Sequence, residues 1–330
     1  GLIGDHQSST PVTDVNASGA VTGTSYTGGL VGRARTGVIN ASASGDVTST
    51  SGGYAGGLVG YLNAYDDEVV RAVKATGNVS AGSAHVGGLV GYVDQNSGSD
   101  EVTMSDAHAT GDVNTTNSGS NAYVGGLVGR FHESRDLTDV SATGDVTSAT
   151  GSYVGGLVGR LRMENGNQVV SNVSATGNVT TTGDRIGGLI GSHEDGQTIS
   201  NATATGDVST AGDYVGGLVG NTRASITNAS ASGEVTTDGQ EVGGLVGYLE
   251  AHSDEVVKAV KATGNVSAGS SNVGGLIGYV DQSSDSDEVT MSDAHATGDV
   301  STTYDAGGNA QVGGLVGRFH ESRDLTNVSA

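Results

Sequence analysis

The chain has 330 residues, 36 of them acidic against 14 basic for a net charge of −22, with 58 glycines, one proline and neither cysteine nor tryptophan. At 4% aromatic residues a round core is hard to fill, whereas a thin core repeated along an axis needs no large side chains. The acidity speaks against nucleic acid and anionic membranes as partners, the missing cysteines exclude disulfides, and no apolar run reaches membrane-spanning length.

Gly1-Leu2-Ile3-Gly4 opens the chain, and Gly1 in place of an initiator Met fits a removed leader. The fuller form, Gly-Gly-Leu-Val/Ile-Gly, stands at 28–32. Its Gly pair returns at 56, 87, 125, 155, 187, 216, 243, 274 and 313, at spacings of 27 to 39 residues. Between the copies comes an apolar-x-Asn/Asp step, as in Val38-Ile39-Asn40, Leu137-Thr138-Asp139 and Ile199-Ser200-Asn201. Ala72 and Ala259 break that rule. Next comes Ala-Ser/Thr-Gly-Asp/Asn-Val, as at 43–47, 75–79 and 109–113.

Each unit therefore reads as three short alternating pieces, β-branched and joined by Ser/Thr/Gly loops, which predicts strands. In the first piece Leu157, Gly159 and Leu161 share one face, and Arg130, Arg160, Tyr61 and Tyr92 oppose it. Strict alternation puts the Leu30, Leu58, Leu89 series inside. It puts Val31, Val59, Val90, Val128, Val158, Val219, Val246 and Val316 outside as an apolar contact stripe, unless a bulge at the Gly pair turns both series inward. In the last piece Ala43, Gly45 and Val47 point inward while Ser44 and Asp46 point out. The parity slips between Asn40 and Ala41, which marks a corner; Asn and Asp tolerate the left-handed backbone that corners need.

The expectation is an all-β fold, a parallel β-solenoid of ten to eleven coils with about three short strands per coil of about 30 residues. Coils about 4.8 Å apart make a single continuous rod over 1–330. A longer period overlies the short one. Val69-Val70-Arg71-Ala72-Val73-Lys74 matches Val256-Val257-Lys258-Ala259-Val260-Lys261 at an offset of 187. Block 1–187 thus returns, incomplete, as 188–330, and the chain is expected to be a segment of a longer array.

Val-Gly-Gly-Leu-Val-Gly followed by apolar-x-Asn-x-x-Ala-Thr-Gly-Asp-Val resembles the GLUG motif of bacterial and archaeal surface proteins, over the whole chain. The resemblance implies secreted, adhesin-like repeat regions without activity of their own. The chain departs from it in placing Ala, Ser or Thr where many members have an aromatic residue or Cys before Ala-Thr-Gly.

Few residues point to chemistry. His132-Glu133 and His320-Glu321 lack the second histidine of a zinc helix, Asp136 and Asp324 standing in its place. Ser-His-Asp matches carry no information where Ser and Asp are everywhere. No Gly-Lys-Ser/Thr forms a phosphate loop. Asp94, Asn96, Asp100 and Glu101 alternate around Gly98 as oxygen ligands do at the start of a calcium loop. They are the candidate ligands for Ca²⁺ or monovalent cations, against the plainer reading of a solvated acidic loop. Among many Asn-x-Ser/Thr sequons, Asn78, Asn178 and Asn265 should face outward and are the candidate glycan acceptors, while Asn40, Asn172, Asn201 and Asn228 are expected to ladder inward. The outward series Asp46, Asn78, Asp112, Asp145, Asn178, Asp207, Glu234, Asn265, Asp299 stacks like charges, which the acid-rich, lysine-poor composition matches to a halophile.

The leading expectation is a non-enzymatic structural or adhesive region of an extracellular, cell-surface protein. Its partners would be other copies of itself or other surface proteins, with glycans as a further class, and neither nucleic acid nor a membrane. The alternatives are a protomer of an extracellular filament, packed end to end or laterally, and a polysaccharide-cleaving β-helix enzyme. Ice binding by the Thr/Ser column beside the acids is weakened by those charges.

Overall fold

A computed structural model describes residues 1–95, 101–117, 119, 122–132, 136–163, 168–194, 196–252, 254–283, 288–303, 310–320 and 324–330. Among them there is no helix, and so none long and apolar enough to cross a membrane. The strands stack in parallel register into sheets of 11, 11, 10 and 10 members. This is the parallel β-solenoid the repeats predict. One coil runs Val158–Arg162 in the first sheet, Val170–Ala175 in the second, Val179–Thr180 in the third and Ile186–Gly187 in the fourth.

The coil thus has four strands where the sequence pattern shows three. The additional strand precedes the Gly pair: Tyr153–Gly155 has 3 residues and Ile186–Gly187 only 2. Alternation needs a longer run to be seen, and here it is cut at once by a bend at Gly156 and Leu157.

That bend also corrects the outward valine stripe. The amides of Leu30 and Val31 both donate to the Leu58 carbonyl, at 2.9 and 3.0 Å, while Gly28 and Val31 stay in one-to-one register with Gly56 and Val59. The chain bends at 29–30, and a bend interrupts the alternation that would send the two side chains to opposite faces. Leu30 and Val31 are each 0% exposed, and the valines from Val59 to Val246 in the series are equally buried.

The buried apolar side chains form two clusters. One, between the first and second sheets, holds the leucines, those valines, Phe131, Met104 and the alanines. The other, between the third and fourth sheets, holds Val47, Val86, Val124, Val154 and their counterparts. They are separated by a waist. A Cβ placed on Gly156 would lie 3.0 Å from the Ala175 Cβ across the lumen and 2.1 Å from the Gly188 carbonyl oxygen of the next coil. The pairing recurs: Gly57 faces Ala75 at 3.0 Å and Gly217 faces Ala231 at 3.1 Å. The two sequence motifs are therefore the two walls of one constriction. Glycine is required there for space, since its backbone angle is not in the left-handed region.

Left-handed backbone lies instead at the Asn/Asp step. Asn40 has φ 51°, Asp139 55°, Asn201 50°, and Ala72 and Ala259 share the angle at 54° and 53°. The parity slip is real, but it falls within one continuous strand, Val38–Ala43. Asn40 is skipped in the register while Ile39 and Ala41 keep theirs. The turn between sheets comes later, at 44–46, where the sequence reads as a third strand. The Asn/Asp side chains do form a ladder, with Asn172 Nδ2 donating to Asp139 Oδ1 at 2.9 Å and Asn201 Nδ2 to Asn172 Oδ1 at 3.1 Å. They face solvent, not the core, because the left-handed residue swings its Cβ outward.

Ala72 and Ala259 adopt this angle without the local hydrogen bonding that lets Asn and Asp tolerate it, at a cost of about 1 kcal/mol or more. Ala72→Asn and Ala259→Asn are each expected to stabilise the fold by about 1 kcal/mol, read as a rise in denaturation midpoint. A drop in midpoint would show that the ladder does not accept a side chain there.

Candidate functional site

The outward faces carry three kinds of column. At the turn between the second and third sheets stands the acidic column. Its Asp and Asn side chains accept the backbone amide of the neighbour in the next coil: Asp46 Oδ1 from Asn78 at 2.9 Å, Asn78 Oδ1 from Asp112 at 2.9 Å, Asp112 Oδ1 from Asp145 at 2.9 Å and Asp145 Oδ1 from Asn178 at 2.7 Å. Asp or Asn recurs here because its oxygen reaches one coil spacing. The glycan candidates Asn78, Asn178 and Asn265 belong to this column and are exposed. Each spends Oδ1 on the next coil's amide, at 2.9 Å, and keeps Nδ2, the atom a glycan takes. A second kind of column is the exposed Thr/Ser row on the third sheet, Thr48, Ser80, Thr147 and Thr180 among them.

The third kind is aromatic, and it rests on the Gly corner. A strand of the fourth sheet enters the corner and a strand of the first sheet leaves it, so residues seven apart come side by side on the outside. Tyr54 and Tyr61 have ring centroids 4.7 Å apart, and His85 and Tyr92 4.9 Å. Along the rod Tyr54, His85, Tyr123 and Tyr153 follow one another at 5.0, 4.9 and 4.9 Å. Arginines fill in where tyrosine is missing. The Arg130 guanidinium lies 5.1 Å from the Tyr92 centroid and 5.3 Å from that of Tyr123, and Arg160 5.3 Å from Tyr153. Six arginines, Arg33, Arg35, Arg130, Arg160, Arg185 and Arg318, stack on tyrosine in this way, in a chain with only 14 basic residues. Stacked rings and cation–π contacts each contribute about 0.5–1 kcal/mol at such sites. Alternation along the strand puts Arg130, Arg160, Tyr61 and Tyr92 outward but does not reach their partners across the corner. The available signal is the residue two before each Gly pair, which is aromatic or Arg at 26, 54, 85, 123, 153, 185 and 214.

Asp94 is tied into this ladder. Its carboxylate accepts from the Tyr61 hydroxyl and from His132 Nδ1, each at 3.2 Å. Burial opposes its ionisation, but the hydrogen bonds of His132, the Gln95 amide and Tyr92 outweigh that and hold its pKa below the usual carboxylate range. Burial and the Asp94 charge in turn raise the Tyr61 phenol, so it stays a donor. The duplicated block repeats the knot, Tyr248 donating to Asp281 at 3.0 Å with His320 at 3.8 Å. Of the other candidate cation ligands, Glu101 donates its amide to Asp67 Oδ1 at 3.2 Å, and Asn96 and Asp100 lie outside the described residues. No group of three or more His, Asp or Glu side chains gathers as a metal set among the described residues.

The ladder is interrupted once in the first sheet, where Ser192 and Asn221 stand in register with Arg160 and Tyr248. The gap is a polar cleft of about 270 Å³ lined by Tyr153, Arg185, Ser192, Glu194, Asn221, Arg223 and Glu250. Glu194 is held by Arg160, and Glu250 accepts from Arg223 Nε at 2.8 Å. Beneath it, His193 points into the core in register with Leu161 and Thr222. It is 0% exposed.

The repeats that build this solenoid match a known repeat family over part of the chain. The family model described as the GLUG motif matches residues 182–209 and 211–236, and the same register runs through the other coils. The chain carries the GLUG repeat at those residues. It is also similar to Halomucin of Haloquadratum walsbyi, with 65% identity over 163 residues, covering 49% of this chain. The chain spans only 2% of the length of that relative. No solved structure matches the chain.

Burial lowers the His193 pKa from 6.5 to about 4. Burial and the Arg130 charge do the same for His85. The unfolded chain therefore binds these protons first as pH falls, so stability is full above about pH 6.5, declines toward pH 4 and then levels. Two units or so on His193 amount to roughly 3 kcal/mol. His193→Leu, which matches Leu161 one coil earlier, is expected to remove its share of the decline and leave that of His85. Thermal melts from pH 7 to pH 4 check this; an unchanged decline would place the acid sensitivity elsewhere.

Proposed function

We propose that this chain is part of a non-enzymatic structural and adhesive rod on the surface of a halophile. The observation that carries this reading is the 65% identity to Halomucin over 163 residues, a name and source that join a mucin-like protein to a saline setting. The geometry supports it. Hydrogen bonds are spent along the axis, coil to coil, in the Asn/Asp ladder and in the acidic column. Asp112, Asp94 and Glu250 are each committed to a group of an adjacent coil, an amide, a phenol and an arginine. The lateral form of the filament alternative loses the outward valine stripe, since Val31 and the valines from Val59 to Val246 in that series fill the core.

The acidic column gives the halophile reading its physical test. Asp112 and Asp145 are consecutive and exposed, as are Asp207 and Glu234. The amides that Asp112, Asp145 and Asp207 accept offset part of the repulsion between charges about 4.8 Å apart, and solvent cations must screen the rest. At about 1 M salt the screening length is near 3 Å, shorter than the coil spacing; at about 0.01 M it is near 30 Å and the rod repels itself. Thermal melts across that range of NaCl are expected to show a midpoint that falls steadily as salt is removed. Rescue at low salt by micromolar Ca²⁺ would assign the effect to specific sites, Asp94 and Glu101 foremost. A flat midpoint would mean that the column is merely solvated, and would remove the physical support for a salt-adapted rod.

A further inference from the structure

We propose that the cleft between Tyr153 and Asn221 binds a hexuronate unit of an acidic polysaccharide. This deepens the adhesive half of the reading above by giving it a ligand class.

The cleft combines room with uncommitted chemistry. Its volume of about 270 Å³ suits one hexose-sized ring. It exists because Ser192 and Asn221 stand where the flanking coils carry Arg160 and Tyr248. Two of its walls are neutralised pairs, Glu194 with Arg160 and Glu250 with Arg223. Such pairs still offer carboxylate oxygens and N–H groups to vicinal hydroxyls, which need acceptor and donor together. Arg185 has no carboxylate partner among the described residues. Its guanidinium is sandwiched between the rings of Tyr153 and Tyr214, 5.3 Å from each centroid, which fixes it without using its donors. The Asn221 carboxamide has no hydrogen-bond partner among the described residues either.

The free cation selects the sugar. With Glu194 paired to Arg160 and Glu250 to Arg223, Arg185 is the lining cation that no carboxylate among the described residues pairs, in a chain of net charge −22. A planar, fixed guanidinium accepts a carboxylate in two parallel bonds. A neutral sugar would leave that group unsatisfied, and a bare anion would leave Asn221 and the glutamate oxygens unused. Arg185 is also held at φ 57°, an angle uncommon for a long side chain. Tyr214, Glu241 and Asn272 repeat the angle in later coils, so it belongs to the loop. Glycine would occupy it without cost, and yet arginine stands there.

The angle supplies a clean variant. Arg185→Gly removes the guanidinium and its two ring contacts but relaxes the backbone, and the two effects offset each other, so the melting point should stay close to that of the parent. The probes are a linear oligogalacturonate, a neutral galactose oligomer of equal length and polyglutamate, titrated calorimetrically in molar NaCl. Saturable binding of the oligogalacturonate alone is expected, weakened about tenfold or more by Arg185→Gly and several-fold by Asn221→Ala. The proposal is overturned if oligogalacturonate does not bind. Equal binding of polyglutamate would reduce the site to bare charge, and equal binding of the neutral oligomer would remove the role of Arg185; either result overturns it, as does full binding by Arg185→Gly. Each of these failures leaves the salt-dependent rod standing, because that reading is measured by the melts alone.

Discussion

The whole cross-section depends on one contact, glycine against alanine across the lumen. At the waist there is no side chain on one wall and a single methyl on the other. A Cβ on Gly156 would meet Ala175 at 3.0 Å and the Gly188 carbonyl at 2.1 Å. Backbones can close to this distance only where the residue has no Cβ. The closure divides the interior into two thin lobes, each of which Val, Leu and Ala can fill. That resolves how a chain with 4% aromatic residues and no tryptophan builds a continuous dry core.

The same contact organises the exterior. Because the corner is so tight, the fourth and first sheets lie next to each other, and their outward residues fuse into one aromatic and arginine ladder. On the far side of the waist the turn at Ala-Thr-Gly presents Asp and Asn to the amide of the next coil. The stacked arginines thus lie on the tyrosine edge, paired there with acids such as Glu194, while the acidic column lies at the opposite turn. The hydrogen bonds of both edges run along the axis, so each coil stabilises its neighbours and the rod behaves as a one-dimensional stack.

The repeat was legible in the sequence because both walls of the waist are spelled out in every coil. The left-handed step at Asn40 was legible too, since it shifts the parity of a strand that is otherwise regular. The fourth sheet was not, because Ile186–Gly187 is 2 residues long. The inward valines were hidden for a related reason: Leu30 and Val31 share one acceptor on the next coil, a fact of pairing between coils that alternation within a strand cannot reveal. The ladder was half legible. Tyr61 and Arg130 alternate outward in plain view, but their partners Tyr54 and Tyr123 lie seven residues back, across a corner whose tightness only the structure shows. The cleft depends on what is absent from that ladder at Ser192 and Asn221, and a missing aromatic in one coil carries no signal until the columns are aligned.

The most direct test compares two glycines. Gly156→Ala places a methyl into the waist, where backbone and the Ala175 methyl surround it, whereas at Gly52 an added Cβ meets nothing within 4 Å. If the waist is the organising contact, equilibrium unfolding should show Gly156→Ala destabilised by several kcal/mol, in the range of overpacked cores, and Gly52→Ala within about half a kcal/mol of the parent. Equal stability of the two variants would contradict the account, because a lumen that admits a methyl at the waist is not held together there.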